Sequence, residues 1–256
     1  MKKWLINLTS VLKVIALFVL LFLAITVISS VSFTIAEKLY GVFRGIDPDN
    51  SFLLITIHHI LQAIIALFLI LIISKITKLK LTDFGFNKND FKYSVKAVLI
   101  FCGIWAVIQA AGSIYMIKTT NMSAAFAFPL TFKNFLGYFL FEILLTGTSE
   151  EILFRSLAIP PMLLLLGKFI KPERKSNIIA VAAATLIFML AHINFNLNPF
   201  RITHVYLPQQ ITCLIFGVFF GYLFTKTKSV IGPVLAHNAL NGVITIVSLI
   251  MYFVFG

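Results

Sequence analysis

Two adjacent glutamates and an arginine interrupt an apolar segment that is long enough to cross a bilayer. Glu150, Glu151 and Arg155 lie within residues 133–159, which are otherwise mostly hydrophobic. Each charge inside a membrane helix costs at least about 2.5–3 kcal/mol. On a helix Glu151 and Arg155 are four residues apart and can pair, whereas Glu150 lies about 100° further round the helix. The pair alone is compatible with a structural link between helices, but the surplus Glu150 favours a functional site in a protein-lined cavity.

The composition is that of a polytopic membrane protein. Of the 256 residues, 60% are hydrophobic and only 12% are charged, whereas about 25% are charged in an average soluble protein. The mean hydropathy is +1.01. The net charge of +12 is explained by the Lys and Arg residues that accumulate in cytoplasmic loops. We therefore expect the lipid bilayer, and no nucleic acid, as a partner.

Hydropathy predicts an all-α integral membrane protein with about seven transmembrane helices, and six to eight are compatible with the sequence. Each span is close to the ~20 residues that a bilayer requires. Most of the 21 basic residues fall in alternate connecting segments, which places the N-terminus inside and the C-terminus outside. The predicted spans are 11–36, 52–74, 94–117, 133–159, 177–194, 205–225 and 230–255.

The chain divides into an N-terminal region, residues 1–132, with spans one to three, and a core region, residues 133–256, that holds the polar residues. Pro160 and Pro161 are predicted to break the fourth helix, because proline cannot continue a helix interior. The following residues, Met162 to Ile170, are predicted to form a short amphipathic piece near the inner surface.

Two further polar islands interrupt the apolar spans of the core region. Phe188 and His192 close span five, and His237 and Asn241 lie inside span seven. Each pair is four residues apart and so shares a helix face. A single intramembrane histidine is often a hydrogen bonder between helices. Together, however, the three islands supply what hydrolysis needs: a carboxylate for the proton of water, imidazoles to hold water or metal, and an amide for the oxyanion.

These islands resemble the motifs of the CAAX-protease and bacteriocin-processing family of intramembrane endopeptidases, also called the Abi or CPBP family. The family pattern is Glu-Glu-x-x-x-Arg, then Phe-x-x-x-His, then His-x-x-x-Asn or Asp, on separate transmembrane helices. Each motif alone is weak, but their joint occurrence in one polytopic chain is fairly specific. The resemblance covers roughly 133–245. The matching segments are Glu150-Glu151-Ile152-Leu153-Phe154-Arg155, Phe188-Met189-Leu190-Ala191-His192 and His237-Asn238-Ala239-Leu240-Asn241.

The resemblance implies a site of six catalytic residues: Glu150, Glu151, Arg155, His192, His237 and Asn241. Glu150 would be the carboxylate that activates water, with Glu151 and Arg155 as its supporting pair. The two histidines would position the water or polarise the peptide carbonyl, and Asn241 would help to stabilise the oxyanion. The resemblance implies a cavity among spans four, five and seven.

Other polar residues are assigned smaller roles. Phe188 is a supporting residue through its motif, and Glu142 is one through a polar stripe that it forms with Thr146 and Ser149. Ser149 is not expected to be a nucleophile, because the sequence places no base beside it. His58 and His59, near the start of span two, are expected to play a structural role at the membrane interface rather than to bind metal.

The sequence leaves the cofactor open between none and a divalent metal such as Zn²⁺. His192, His237 and a glutamate could form a zinc site with an open position. Yet no His-Glu-x-x-His motif occurs, and a glutamate that serves as base leaves only two firm protein ligands. A metal-free mechanism driven by Glu150 is therefore an equal alternative.

The resulting hypothesis is an intramembrane endopeptidase of a bacterial plasma membrane. Its substrate would be a membrane-associated peptide or protein tail, such as a prenylated CAAX protein or a bacteriocin leader. The alternative is a non-catalytic membrane scaffold or bacteriocin self-immunity protein of the same fold. One tension remains: the predicted spans place His237 closer to the inner face than Glu150 and His192, and helix tilt or a broken helix must reconcile these depths.

Overall fold

The protein is a bundle of membrane helices, seen in a computed structural model that describes residues 8–120, 125–197 and 200–256. Six helices in these ranges are long and apolar enough to cross a membrane, which confirms an all-α integral membrane protein. They are α1 (Leu8–Phe43), α2 (Leu53–Thr77), α3 (Phe91–Thr120), α7 (Glu173–Ala191), α8 (Leu207–Thr227) and α9 (Ile231–Phe255).

The predicted fourth span is a composite of shorter helical pieces. It begins with α4 (Phe132–Phe141), continues through a π-helical turn (Glu142–Thr146) into α5 (Gly147–Glu151), and passes through a second π-helical turn (Ile152–Ser156). After two turn residues, α6 (Ile159–Leu166) follows. With this composite segment, the described part of the chain crosses the bundle about seven times, as predicted.

Contacts between the connecting segments agree with this alternation. Lys228 Nζ lies 2.8 Å from Glu173 Oε1, and the Asn87 side chain donates to the Lys228 carbonyl at 2.7 Å. All three residues lie in or beside segments predicted to be inside. At the other end of the bundle, Asn134 Nδ2 donates to Asp49 Oδ2 at 2.8 Å. The segments predicted on one side of the bilayer therefore meet one another in the fold.

The break in the fourth helix falls before the two prolines, at Leu157-Ala158. Pro160 then sits in the first turn of α6, where a missing backbone N–H leaves no hydrogen bond unmade. The predicted amphipathic surface piece is wrong. Ile159, Met162 and Leu166 are almost completely buried, because α6 packs into the main apolar core rather than along the inner surface.

Two apolar clusters hold the helices together. The larger cluster joins α1, α2, α6 and α7 around the second π-helical turn, with Ile25, Ile70, Leu153 and Ile187 at its centre. The smaller cluster joins α3, α8 and α9 and contains Trp105. A two-stranded antiparallel hairpin, β1 (Asn194–Leu197) and β2 (Phe200–His204), connects α7 to α8. The candidate site lies between the two clusters.

Asp47 ties the first connecting segment to the start of α2. Its fully buried carboxylate accepts hydrogen bonds from the backbone N–H groups of Ser51, Phe52 and Leu53 and from the Ser51 hydroxyl, at 2.7–2.9 Å. Burial raises the pKa of Asp47, but the four hydrogen-bond donors together lower it by more. The pKa of Asp47 is therefore below its ordinary value of 3.8.

We expect Asp47→Asn to lower the free energy of unfolding by about 1–2 kcal/mol, as the loss of a helix cap does. Because the folded-state pKa is lowered, this stabilisation is complete above pH 3.8 and is lost as the pH falls through the folded value. Melting curves in detergent should therefore separate the parent from Asp47→Asn at neutral pH and converge in acid. Glu37→Gln, at an exposed position of α1, is the matched control; equal curves for all three proteins at neutral pH would contradict the assignment.

Candidate active site

The two π-helical turns of the fourth segment change which side chains face the bundle interior. In a regular α-helix Glu142 and Glu150 would point roughly 80° apart, because each residue turns the helix by about 100°. A π-helical turn accommodates one extra residue, which brings the two carboxylates to within about 20° of each other. Glu142 and Glu150 therefore face the same interior space and lie within electrostatic range of each other.

Glu151 is the centre of a fully enclosed charge network. Its Oε1 accepts a hydrogen bond from His237 Nδ1 at 2.8 Å, and its Oε2 lies 3.1 Å from Arg155 Nε. The Arg155 contact is not aligned as a hydrogen bond, so it is an ion pair. The side chains of Glu151 and Arg155 are 0% exposed. The predicted pair thus exists, and His237 joins it from α9.

Arg155 is enclosed by aromatic rings and a backbone carbonyl. Its guanidinium carbon lies 4.9 Å from the ring centre of Phe188 and 5.2 Å from that of Phe220. Nη2 reaches the Gly217 carbonyl at 3.5 Å. Aromatic faces attract a desolvated cation, so the motif residue Phe188 and the unpredicted Phe220 help to hold the charge inside the bundle.

Glu150 is the neighbouring carboxylate whose Oε2 makes no hydrogen bond to this network. Its side chain keeps 15% of its surface exposed, and its Oε2 lies 3.9 Å from His237 Nε2. That separation is too long for a hydrogen bond, and Oε2 has no other hydrogen-bond partner among the described residues. Arg155, His192 and His59 also lie within electrostatic range of Glu150. The carboxylate is therefore surrounded by cationic or ionisable groups but is not tied to any of them.

The two motif histidines have the same tautomer requirement. His237 Nδ1 donates to Glu151, and His192 Nδ1 lies 2.8 Å from the Phe188 carbonyl, to which only an N–H can donate. Each neutral ring then carries its lone pair on Nε2. Glu150 and His237 lie at the same level of the bundle, since Glu150 Oε2 is 3.9 Å from His237 Nε2, so the depth difference expected between these two residues is absent.

Asn241 is held by Glu142. Its Nδ2 donates to Glu142 Oε2 at 2.7 Å, and the Thr146 hydroxyl donates to the same oxygen at 3.1 Å. A primary amide has two N–H groups, so Asn241 retains one donor beyond this bond. The predicted polar stripe of Glu142 and Thr146 therefore fixes the amide that the sequence analysis assigned to the oxyanion.

Asn238 and Gly147 are site residues that the sequence analysis did not single out. The backbone N–H of Gly147 donates to Asn238 Oδ1 at 2.8 Å, which provides a partner for a backbone group beside the π-helical turn. A Cβ on Gly147 would lie 2.6 Å from both Asn238 Oδ1 and His237 Cβ. Only glycine lets α9 approach this closely. Asn238 stands next to His237 in the sequence, but the need for its side chain arises from a π turn that the sequence does not reveal.

α2 brings His59 to the candidate site, a position that the sequence did not predict. His59 Nδ1 lies 2.5 Å from Ser149 Oγ, and Gln62, one turn further along α2, lies 3.4 Å from the same hydroxyl. Ser149 is only 2% exposed. The structure therefore places a base beside Ser149, contrary to expectation, but buries the hydroxyl against α2.

A cavity of about 170 Å³ adjoins this region. Gln62 lines it, together with Leu153 and Phe154 of the second π-helical turn and Ala191, the neighbour of His192. Serine and threonine side chains of α1 add polar groups to its wall, at Thr26, Ser29 and Ser30. The surroundings of the candidate site thus include α1 and α2, which carry none of the motifs.

The side chains present do not form a complete metal site. Within the described ranges, no group of three or more His, Cys, Asp or Glu side chains is arranged to hold a metal ion. His192 and His237 each have Nδ1 hydrogen-bonded elsewhere and so could bind a metal through Nε2, but two nitrogens are fewer than the three protein ligands of a catalytic zinc site. The donor set does not fit a three-ligand zinc site.

Residues 132–243 match the model of the Rce1-like type II CAAX prenyl endopeptidases. This segment, which is less than half of the chain, is similar to that family. The match begins at the first residue of α4 and ends two residues after Asn241, so it contains all three polar islands. It confirms the resemblance seen in the sequence and identifies the fold as that of a CAAX-type intramembrane protease. Comparison with curated proteins and with solved structures gives no match.

We expect Arg155→Ala to lower the melting temperature in detergent much more than Glu150→Gln does. Removing Arg155 leaves the buried charge of Glu151 uncompensated, which costs about 3–5 kcal/mol in protein interiors. Glu150 is partly exposed and Oε2 has no bond to lose, so its amide variant should melt close to the parent. Melting curves that shift equally for the two variants would show that Arg155 is not a structural anchor of this helical core.

Proposed function

We propose that the protein is an endopeptidase that hydrolyses a peptide bond in the tail of a prenylated, membrane-associated substrate. The observation that carries this proposal is the pairing of two glutamates with opposite environments. Glu151 is locked between Arg155 and His237, whereas adjacent Glu150 is partly exposed and has an unpartnered oxygen. Glu151 is suited to remain charged within the network, and Glu150 is suited to accept and return a proton.

In this mechanism Glu150 is the general base. A water between Glu150 Oε2 and His237 Nε2 loses a proton to Glu150 as its oxygen forms a bond to the scissile carbonyl carbon. The hydrogen bond that His237 Nδ1 donates to Glu151 keeps the His237 ring in place and its Nε2 directed at this water. A carboxylate that orients a histidine in this way fixes both its tautomer and its rotation.

The remaining polar groups serve the tetrahedral intermediate. The free N–H of Asn241 donates to the former carbonyl oxygen and stabilises its negative charge. His192, at the end of α7, presents the lone pair of Nε2 and therefore helps to position the attacking water rather than the oxyanion. When the intermediate collapses, the C–N bond breaks and Glu150 returns its proton to the leaving amine. Glu150 is then ionised again, so the cycle closes without a further reactant.

This mechanism requires no obligatory metal, because the protein itself provides the base, the orienting groups and the oxyanion donor. Similarity to the CAAX endopeptidase family favours a prenylated peptide over a bacteriocin leader as the substrate. The basic connecting segments and the multi-pass fold suit the plasma membrane of a bacterium, where we place the protein.

We expect Glu150→Gln to abolish hydrolysis, because the amide keeps the shape of the side chain but cannot accept a proton from water. Loss of general-base catalysis costs about 10²–10⁴ in rate. The assay uses purified protein with a prenylated CAAX peptide and separates the products by chromatography. Glu37→Gln, remote from the site, controls for the loss of a carboxylate, and a strong chelator should leave the parent's activity unchanged.

Activity of Glu150→Gln within a few-fold of the parent would contradict the role of Glu150. Cleavage that stops in chelator and returns with zinc would overturn the metal-free mechanism. A parent protein that folds but cleaves no prenylated peptide would favour the scaffold alternative.

A further inference from the structure

A groove between α7 and α8 lies far from the candidate site. It has a volume of about 690 Å³, and Asn177, Ile178, Val181 and Val218 form part of its wall. His192 ends the same helix α7, roughly 22 Å from Asn177 at 1.5 Å per residue. The groove is therefore a separate feature, at the end of the bundle where the segments predicted to be inside meet.

The floor of the groove is open to the hydrocarbon of the bilayer. Ile178, Val218 and Tyr222 are 59%, 49% and 47% exposed, although they belong to helices that cross the membrane. The opposite face of α8, with Phe216 and Phe220, is buried in the protein core. Since no described residue covers the floor, lipid chains are its neighbours in a membrane.

The rim of the groove carries more positive than negative charge. Arg174, Lys226 and Lys228 line it together with a single acid, Glu173. Lys228 pairs with that acid at 2.8 Å, which leaves Arg174 and Lys226 without an acidic partner among the described residues.

Aromatic hydroxyls mark the level of the rim in the bilayer. The hydroxyl of Tyr222 lies 2.7 Å from that of Tyr93 on α3, and Lys226 Nζ lies 6.0 Å from the centre of the Tyr93 ring. Tyrosine is enriched where hydrocarbon gives way to headgroups. The apolar floor therefore lies at the depth of acyl chains and the basic rim at the depth of phosphates.

We propose that this groove binds an anionic glycerophospholipid of the phosphatidylglycerol type. One acyl chain lies along the floor, and the phosphate lies between Arg174 and Lys226. Basic pockets between membrane helices on the cytoplasmic side bind anionic headgroups in this way. A zwitterionic lipid would add its own ammonium group to a rim that is already positively charged. A second copy of the chain would bring its own basic rim and would be repelled by this positive charge.

The test titrates the purified full-length protein in detergent with phosphatidylglycerol and, separately, with phosphatidylcholine of the same acyl chains. Binding is measured by native mass spectrometry and by the rise in melting temperature. We expect phosphatidylglycerol to bind more tightly. The double variant Arg174→Gln/Lys226→Gln should bind it roughly 25-fold more weakly, at about fivefold for each charge removed.

The matched control is Lys118→Gln/Lys133→Gln, which removes two exposed charges at the other end of the bundle and should keep the parent's affinity. A second variant, Ala182→Trp, fills the floor while leaving the rim intact and should also weaken binding. Equal binding of both lipids, or equal losses in the test and control double variants, would overturn the proposal. So would an equal effect of soluble glycerol phosphate, since that ligand has no chain for the floor.

Discussion

The Glu151 carboxylate, shared between Arg155 and His237 inside the bundle, is the interaction on which the site depends. A buried charge is tolerated only when partners satisfy it, and here the partners come from the fourth segment itself and from α9. Fixing one acid in this way leaves its neighbour Glu150 to face the interior unpaired. One charge network thus joins two helices, orients an imidazole and creates a free carboxylate.

The backbone of the fourth segment also helps to place the polar side chains of the site. The first π-helical turn brings Glu142 and Glu150 to one face, Asn238 satisfies a backbone N–H next to that turn, and Gly147 admits α9. π turns recur at functional sites because an extra residue redirects side chains without ending the helix. The π-helical geometry of the fourth segment therefore helps to assemble the polar cluster of the candidate site.

The sequence predicted the crossings and the three polar islands well, because membrane length and intramembrane charge are strong local signals. It did not predict His59 at the site, since no pattern within α2 reports which distant helix its side chain meets. It placed Met162–Ile170 at the surface, because the composition of a leucine-rich segment is the same whether the segment faces lipid or the protein core. The π-helical turns left no trace in composition, so the alignment of Glu142 with Glu150 emerged only from the fold.

The source of the oxygen in the first turnover tests the central claim most directly. The protein is mixed with a smaller amount of a prenylated CAAX peptide in water enriched in oxygen-18. The mass of the product that carries the new carboxyl terminus is then measured by mass spectrometry. If Glu150 activates water, every product molecule carries one oxygen-18 from that single turnover. A product without the label would show that an enzyme carboxylate supplied the oxygen as a nucleophile, and would contradict the role of Glu150 as a base.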